Sequence, residues 1–106
     1  MRQFVFFVTV PSKEEGEKIA KHLVEQKIVA CVNIIHDIHS IYRWKGEIEE
    51  DNEYLLVMKT TKEKKSNLIR AIEKLHSYET PECIGWKIDT GSKTYLRWIE
   101  NSTRGT

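Results

Sequence analysis

Residues 28–44, IVACVNIIHDIHSIYRW, are rich in β-branched and apolar side chains and show no helical period. Ile28, Ala30, Val32 and Ile34 alternate with Val29, Cys31, Asn33 and Ile35. Both sets are largely apolar, which predicts a strand covered on both faces in its first half. Lys45-Gly46 then supplies a two-residue hairpin turn. A return strand is expected from about Glu47 to Lys59, acidic near the turn and apolar through Tyr54–Met58. Seventeen extended residues would span about 55 Å at roughly 3.3 Å each, against about 35 Å for a compact domain of this length. The hairpin must therefore bend, with HDIHS at 36–40 as the expected place, or project beyond its own sheet. A projecting arm ending in Tyr42 and Trp44 exposes aromatic side chains and unpaired edges, so a second copy of the chain is expected to cover it.

The elements on either side complete the pattern. Before the hairpin, QFVFFVTV at 3–10 reads as a buried strand, stopped by Pro11. Ser12 with Glu15 makes a capping-box signature. The helix it opens carries Ile19, Ala20, Leu23 and Val24 on one face, with Glu14–Lys18 and Glu17–Lys21 spaced for outer ion pairs, and ends near Lys27. After the hairpin, Thr60 with Glu63 suggests a second capping box, and Leu68, Ile72 and Leu75 fall in helical register. Residues 83–88 read as a last strand, with Cys83 on the sheet face away from the helices, and Tyr95, Leu96, Trp98 and Ile99 mark a short closing helix. The order is strand, helix, strand, strand, helix, strand. This is the α+β, ferredoxin-like βαββαβ arrangement, with helices on one face of an antiparallel sheet. Residues 1–106 are expected to form one domain, with a long hairpin between the second and third strands.

Composition narrows the partners. Charged residues make up 31% of the chain, but the signs almost cancel to a formal +1. That balance argues against nucleic acid or an anionic membrane as the partner. The two cysteines, Cys31 and Cys83, have no CxxC or zinc-like spacing, which fits a reducing cytoplasm. MRQFVFFVTVP has too short an apolar run for a signal peptide, and no segment approaches the ~20 apolar residues of a membrane span. The NST at 101–103 would matter as a glycosylation acceptor only in a secreted protein.

Chemistry concentrates in LHSYETPE, residues 75–82. Two readings stand side by side. In one, His76 caps the second helix, Tyr78 and Glu79 satisfy loop amides, and Pro81 sets the strand entry. In the other, His76 and Glu79 offer nitrogen and oxygen donors to a ligand or metal, with Cys83 or Cys31 adding sulfur. His36, Asp37 and His39 read as a solvated bend and His22 as a surface residue. Glu53 and Lys59 are either an internal ion pair or pocket-lining charges. No phosphate loop, GxSxG or HExxH is present, so no catalytic residue is assigned. The third strand, NEYLLVMKTT, lacks the glycine and paired aromatics of an RNA-recognition motif.

ACVNI at 30–34, SIYRWKGEIE at 40–49, EYLLVMKTT at 53–61, LHSYETPE and YLRWI at 95–99 together resemble the CutA family of divalent-cation tolerance proteins. The resemblance covers nearly the whole chain. It implies a homotrimer whose hairpins embrace neighbouring subunits, similar in architecture to the PII signalling trimers. It further implies an intersubunit cleft bordered by His76, Tyr78, Glu79, Pro81 and Glu82, with Tyr42, Trp44, Glu53 and Lys59 nearby. The function implied is non-enzymatic response to divalent metal, with no organic cofactor; from donor chemistry, copper or a similar cation is expected to bind weakly at His76 and Glu79, with Cys83 of this chain adding sulfur. The alternative is a PII-like module that binds a small anionic effector, in which Lys59 would matter more than Cys83. Three positions depart from the family pattern. Ser77 stands where proline is usual and is expected to loosen the loop, His36-Asp37 replaces a Pro-Gly turn, and Cys83 replaces an aliphatic residue.

Overall fold

The computed structural model describes residues 2–105. Its elements are β1 (Gln3–Val10), α1 (Lys13–Glu25), β2 (Cys31–Trp44), β3 (Glu47–Thr61), α2 (Lys65–Leu75), β4 (Ile84–Lys87) and α3 (Lys93–Thr103). The four strands form one antiparallel sheet in the order β2-β3-β1-β4, the ferredoxin-like arrangement expected.

Sidedness follows from the two-residue period of the strands. Phe6, Val8 and Val10 of β1 and Leu56 and Met58 of β3 point to one face, where Ile19 and Leu23 of α1 and Leu68 and Ile72 of α2 close the core. Gly85 of β4 pairs with Phe6, and a side chain there would meet the Phe6 ring at 2.6 Å, so only glycine lets the ring lie against the strand. The other face carries Val5, Phe7, Leu55, Val57, Ile84 and Trp86, with Phe7 and Trp86 in an edge-on contact at 5.0 Å. The helices do not all share one face as expected. α3 lies on this second face at one end, where Ile99 is fully buried, the Gln3 amide donates to the Leu96 carbonyl at 3.1 Å, and Tyr95 meets Cys31.

The helix ends show which local signals were used. Ser12 Oγ accepts from the Glu15 N–H at 3.1 Å, as its capping signature predicts. α1 closes with the Ile28 N–H on the Leu23 carbonyl and the Lys27 N–H on the Val24 carbonyl, a Schellman motif with Lys27 at φ 60°. The second capping box does not form. Thr60 is buried within β3 and its hydroxyl donates to the Ile28 carbonyl at 2.6 Å, while a 3-10 turn at Lys62–Lys64 leads into α2 without a side-chain cap. On α1 the ion pair observed is Lys13–Glu17, at 3.9 Å, rather than the two pairs expected.

The hairpin both bends and projects. β1 pairs with β3 only from Tyr54 to Thr61, so the segment from Ile38 to Glu53 has no third strand beside it. The register slips between Ile35 and Ile38, a bulge at which Asp37 takes φ 62°. Lys45 and Gly46 both have positive φ, the geometry of a turn that matches the strand twist. The molecule accordingly measures 44 × 25 × 22 Å. On the arm, Ile41 and Ile48 remain 64% and 60% exposed.

Candidate functional site

The arm and the loop between α2 and β4 face each other across a cavity of about 670 Å³. Tyr42 and Trp44 line it from β2, Glu53 from β3, Thr9 from β1, and Tyr78, Glu79 and Glu82 from the loop. No lysine, arginine or histidine lines it among the described residues.

His76 lies beneath this cavity rather than on its wall. It follows the last turn of α2, and its imidazole is fully buried. Nε2 donates to the Thr9 carbonyl at 2.7 Å, while Nδ1 accepts the Tyr78 N–H at 3.0 Å. With one nitrogen donating and the other accepting, the ring is the neutral Nε2–H tautomer, and neither nitrogen is free for a metal. Of the two readings of LHSYETPE, the geometry gives His76 the structural one. Glu15, which the sequence reading placed only in a cap, reaches the same loop. Its carboxylate accepts from the Ser77 N–H at 3.0 Å and from the Ser77 hydroxyl at 2.7 Å. Ser77 therefore tethers the loop to α1 instead of loosening it. A proline there would have neither donor.

Glu53 is 6% exposed, and its Oε2 accepts from the Tyr78 hydroxyl at 2.8 Å. It is not paired with Lys59, whose ammonium donates to Asn33 on the same sheet face and does not line the cavity. Tyr42 donates to Asp51. That hydrogen bond, then desolvation and the charges of Asp51, Glu49 and Glu53, push the Tyr42 phenol up to about 12. Desolvation first, and then the bond to Glu53, hold the Tyr78 phenol well above its ordinary value near 10. Burial, followed by the charge of Glu53, raises the Glu82 carboxyl.

Cys83 sits opposite to expectation. It packs against the core on the helix side of the sheet, and burial, then Glu73 and Glu82, push its thiol up to about 11. A thiol held protonated at neutral pH is a poor ligand. Pro81 is half-buried and lies off the cavity wall. His76, Glu79 and Cys83 are thus not assembled into a ligand set. No group of three His, Cys, Asp or Glu side chains is arranged to hold an ion among the described residues.

A family model for the CutA1 divalent ion tolerance protein matches residues 4–102. The chain belongs to this family. It is 44% identical to the divalent-cation tolerance protein CutA of Thermus thermophilus over 93% of this chain and 96% of that one. It is 43% identical to the chloroplastic protein CutA of Arabidopsis thaliana over 94% of this chain and 55% of that one. The CutA-like chain therefore spans about half the length of the plant relative and nearly all of the bacterial one. Among solved structures, CutA1 of Oryza sativa superposes with a TM-score of 0.95 at 39% identity, covering 100% of this chain and 97% of that one. The Thermus thermophilus CutA1 structure gives 0.93 at 44% identity, covering 95% and 98%. Relatives carry chloroplastic and periplasmic descriptions. In this CutA1-family chain no helix among the described residues is long and apolar enough to cross a membrane.

Proposed function

We propose that this chain, as a single CutA-like domain, is the unit of a cytoplasmic homotrimer that acts in divalent-cation tolerance without catalysis and holds its cation weakly. The observation that carries the reading is the cavity wall, which holds Glu53, Glu79 and Glu82 and, among the described residues, no basic side chain. Such a wall attracts cations and repels anions, so the anionic-effector alternative loses its support along with Lys59. The exposed Ile41, Ile48, Trp44 and Trp86 support assembly, since apolar side chains on an uncovered arm and sheet face are a liability in a lone chain.

The ligand chemistry shifts from the one expected. A soft set of imidazole and thiolate would select copper strongly, but His76 has both nitrogens engaged and Cys83 keeps its proton. Carboxylate oxygens at the cleft remain as donors. At oxygen donors copper still ranks first among the first-row divalent ions, with modest affinity and little selectivity. Native mass spectrometry of the full chain with substoichiometric Cu²⁺ tests this. A trimer is expected, taking up copper as wild type and as Cys83→Ala, and losing it in the Glu79→Gln/Glu82→Gln double variant. Ile41→Glu should release smaller species. A monomeric wild type would overturn the assembly, and copper lost only in Cys83→Ala would return the site to the thiol.

A further inference from the structure

The cavity holds more than carboxylates. Three aromatic rings, Tyr42, Trp44 and Tyr78, share the wall with Glu53, Glu79 and Glu82. The hydroxyls of Tyr42 and Tyr78 are turned onto Asp51 and Glu53. Ring faces beside carboxylates are the surroundings in which a desolvated organic cation is held.

Glu53 is the group that leaves an acceptor open at the cavity. It is nine-tenths buried, yet its one partner is a neutral phenol. Among the described residues no lysine, arginine or histidine comes within ion-pair distance of it, and its second oxygen has no hydrogen-bond partner. Its second oxygen is not sealed in, since no buried side-chain oxygen lacks a partner among the described residues, so it stays open to a donor from the cavity. The cavity is also large for a single ion, at about 670 Å³, and falls in the size range of small-molecule sites.

We propose that this cleft binds an aliphatic amine carrying two or more ammonium groups, one of which donates to Glu53 while its methylenes lie along Tyr42, Trp44 and Tyr78. The inference rests on reading the cleft as a cation site and names an organic ligand class for it. A primary or secondary ammonium fits better than a quaternary one, because the free oxygen of Glu53 requires an N–H donor. More than one charge fits because Glu79 and Glu82 come from the loop while Glu53 comes from the arm.

Calorimetric titration of the full chain with spermidine at low ionic strength tests the proposal. Saturable binding of one molecule per chain is expected, weakened about tenfold or more in Glu53→Gln, where the charge-assisted bond is lost. Trp44→Leu, an exposed position, is expected to weaken it several-fold and stands in should the buried substitution disturb folding. Hexamethonium, with two charges and no N–H, should bind at least tenfold more weakly than spermidine. Binding that does not saturate, affinity unchanged in both variants, or a preference for succinate would each overturn the proposal. Copper uptake by the same preparation separates the two readings. Copper without spermidine binding refutes the amine alone, and spermidine binding without copper supports the amine while refuting the metal. Loss of both overturns the cleft as a cation site.

Discussion

The Tyr78 hydroxyl donates to the buried carboxylate of Glu53 at 2.8 Å, joining the loop after α2 to the base of the projecting arm across 25 positions of sequence. Both residues of this bond line the cavity. The bond also shows why the loop carries a phenol: Glu53 needs a donor, and among the described residues no cation supplies one.

Replacing Tyr78 with Phe keeps the ring and removes that donor. The variant should lose about 1 kcal/mol of stability, with the fold otherwise retained. Urea unfolding monitored by tryptophan fluorescence measures it. A midpoint equal to wild type would mean that water replaces the phenol at no cost.

The raised phenols make stability fall at alkaline pH. Unfolded tyrosines lose their protons near pH 10. In the fold Tyr42 keeps its proton up to about 12 and Tyr78 beyond its ordinary range. Between those values the unfolded chain binds fewer protons, so this contribution is complete below pH 10 and is lost as pH rises through 12. Ultraviolet titration should show late-ionising tyrosinate, and Tyr42→Phe should remove part of the late phase. A single transition near pH 10 for all four tyrosines would refute this.

His76 is expected to act through stability. His76→Ala leaves the Thr9 carbonyl and the Tyr78 N–H without their shared partner in a buried place. A loss of roughly 2–4 kcal/mol is expected. Thermal unfolding beside copper uptake at a temperature where the variant is folded tells the roles apart. An unchanged melting temperature with copper uptake abolished would restore His76 as a ligand.

Lys27 sits at φ 60° in the Schellman turn that ends α1, a conformation that disfavours any residue with a Cβ. Lys27→Gly should stabilise the fold by about 1 kcal/mol, part of the gain being offset by greater freedom in the unfolded chain. Denaturant midpoints compare the two, and a destabilised glycine variant would show that the lysine side chain contributes contacts beyond its backbone geometry.

The elements were legible because their causes are local. The alternation at 28–35, the positive-φ pair Lys45-Gly46 and the cap from Ser12 to the Glu15 N–H each depend on residues a few positions apart. Where a local signal misled, a distant group had taken the side chain. Thr60 is drawn into β3 by the Ile28 carbonyl, and the Glu15 carboxylate is drawn off α1 by Ser77, 62 positions away. Even the bend was readable at HDIHS, although only the register of β2 on β3 placed it at residues 36 and 37.

By itself the sequence determined the strand and helix order, the overlong hairpin and the family resemblance, since propensity, periodicity and chain length are properties of the chain. Which groups face the cleft was decided by tertiary structure. His76 lies 67 positions from the Thr9 carbonyl it binds, Glu53 chooses Tyr78 over Lys59, and Cys83 turns to the core. The physical reason is that a polar side chain goes wherever folding leaves it a partner or water, and that place exists only once the strands have paired and the loop has closed on them.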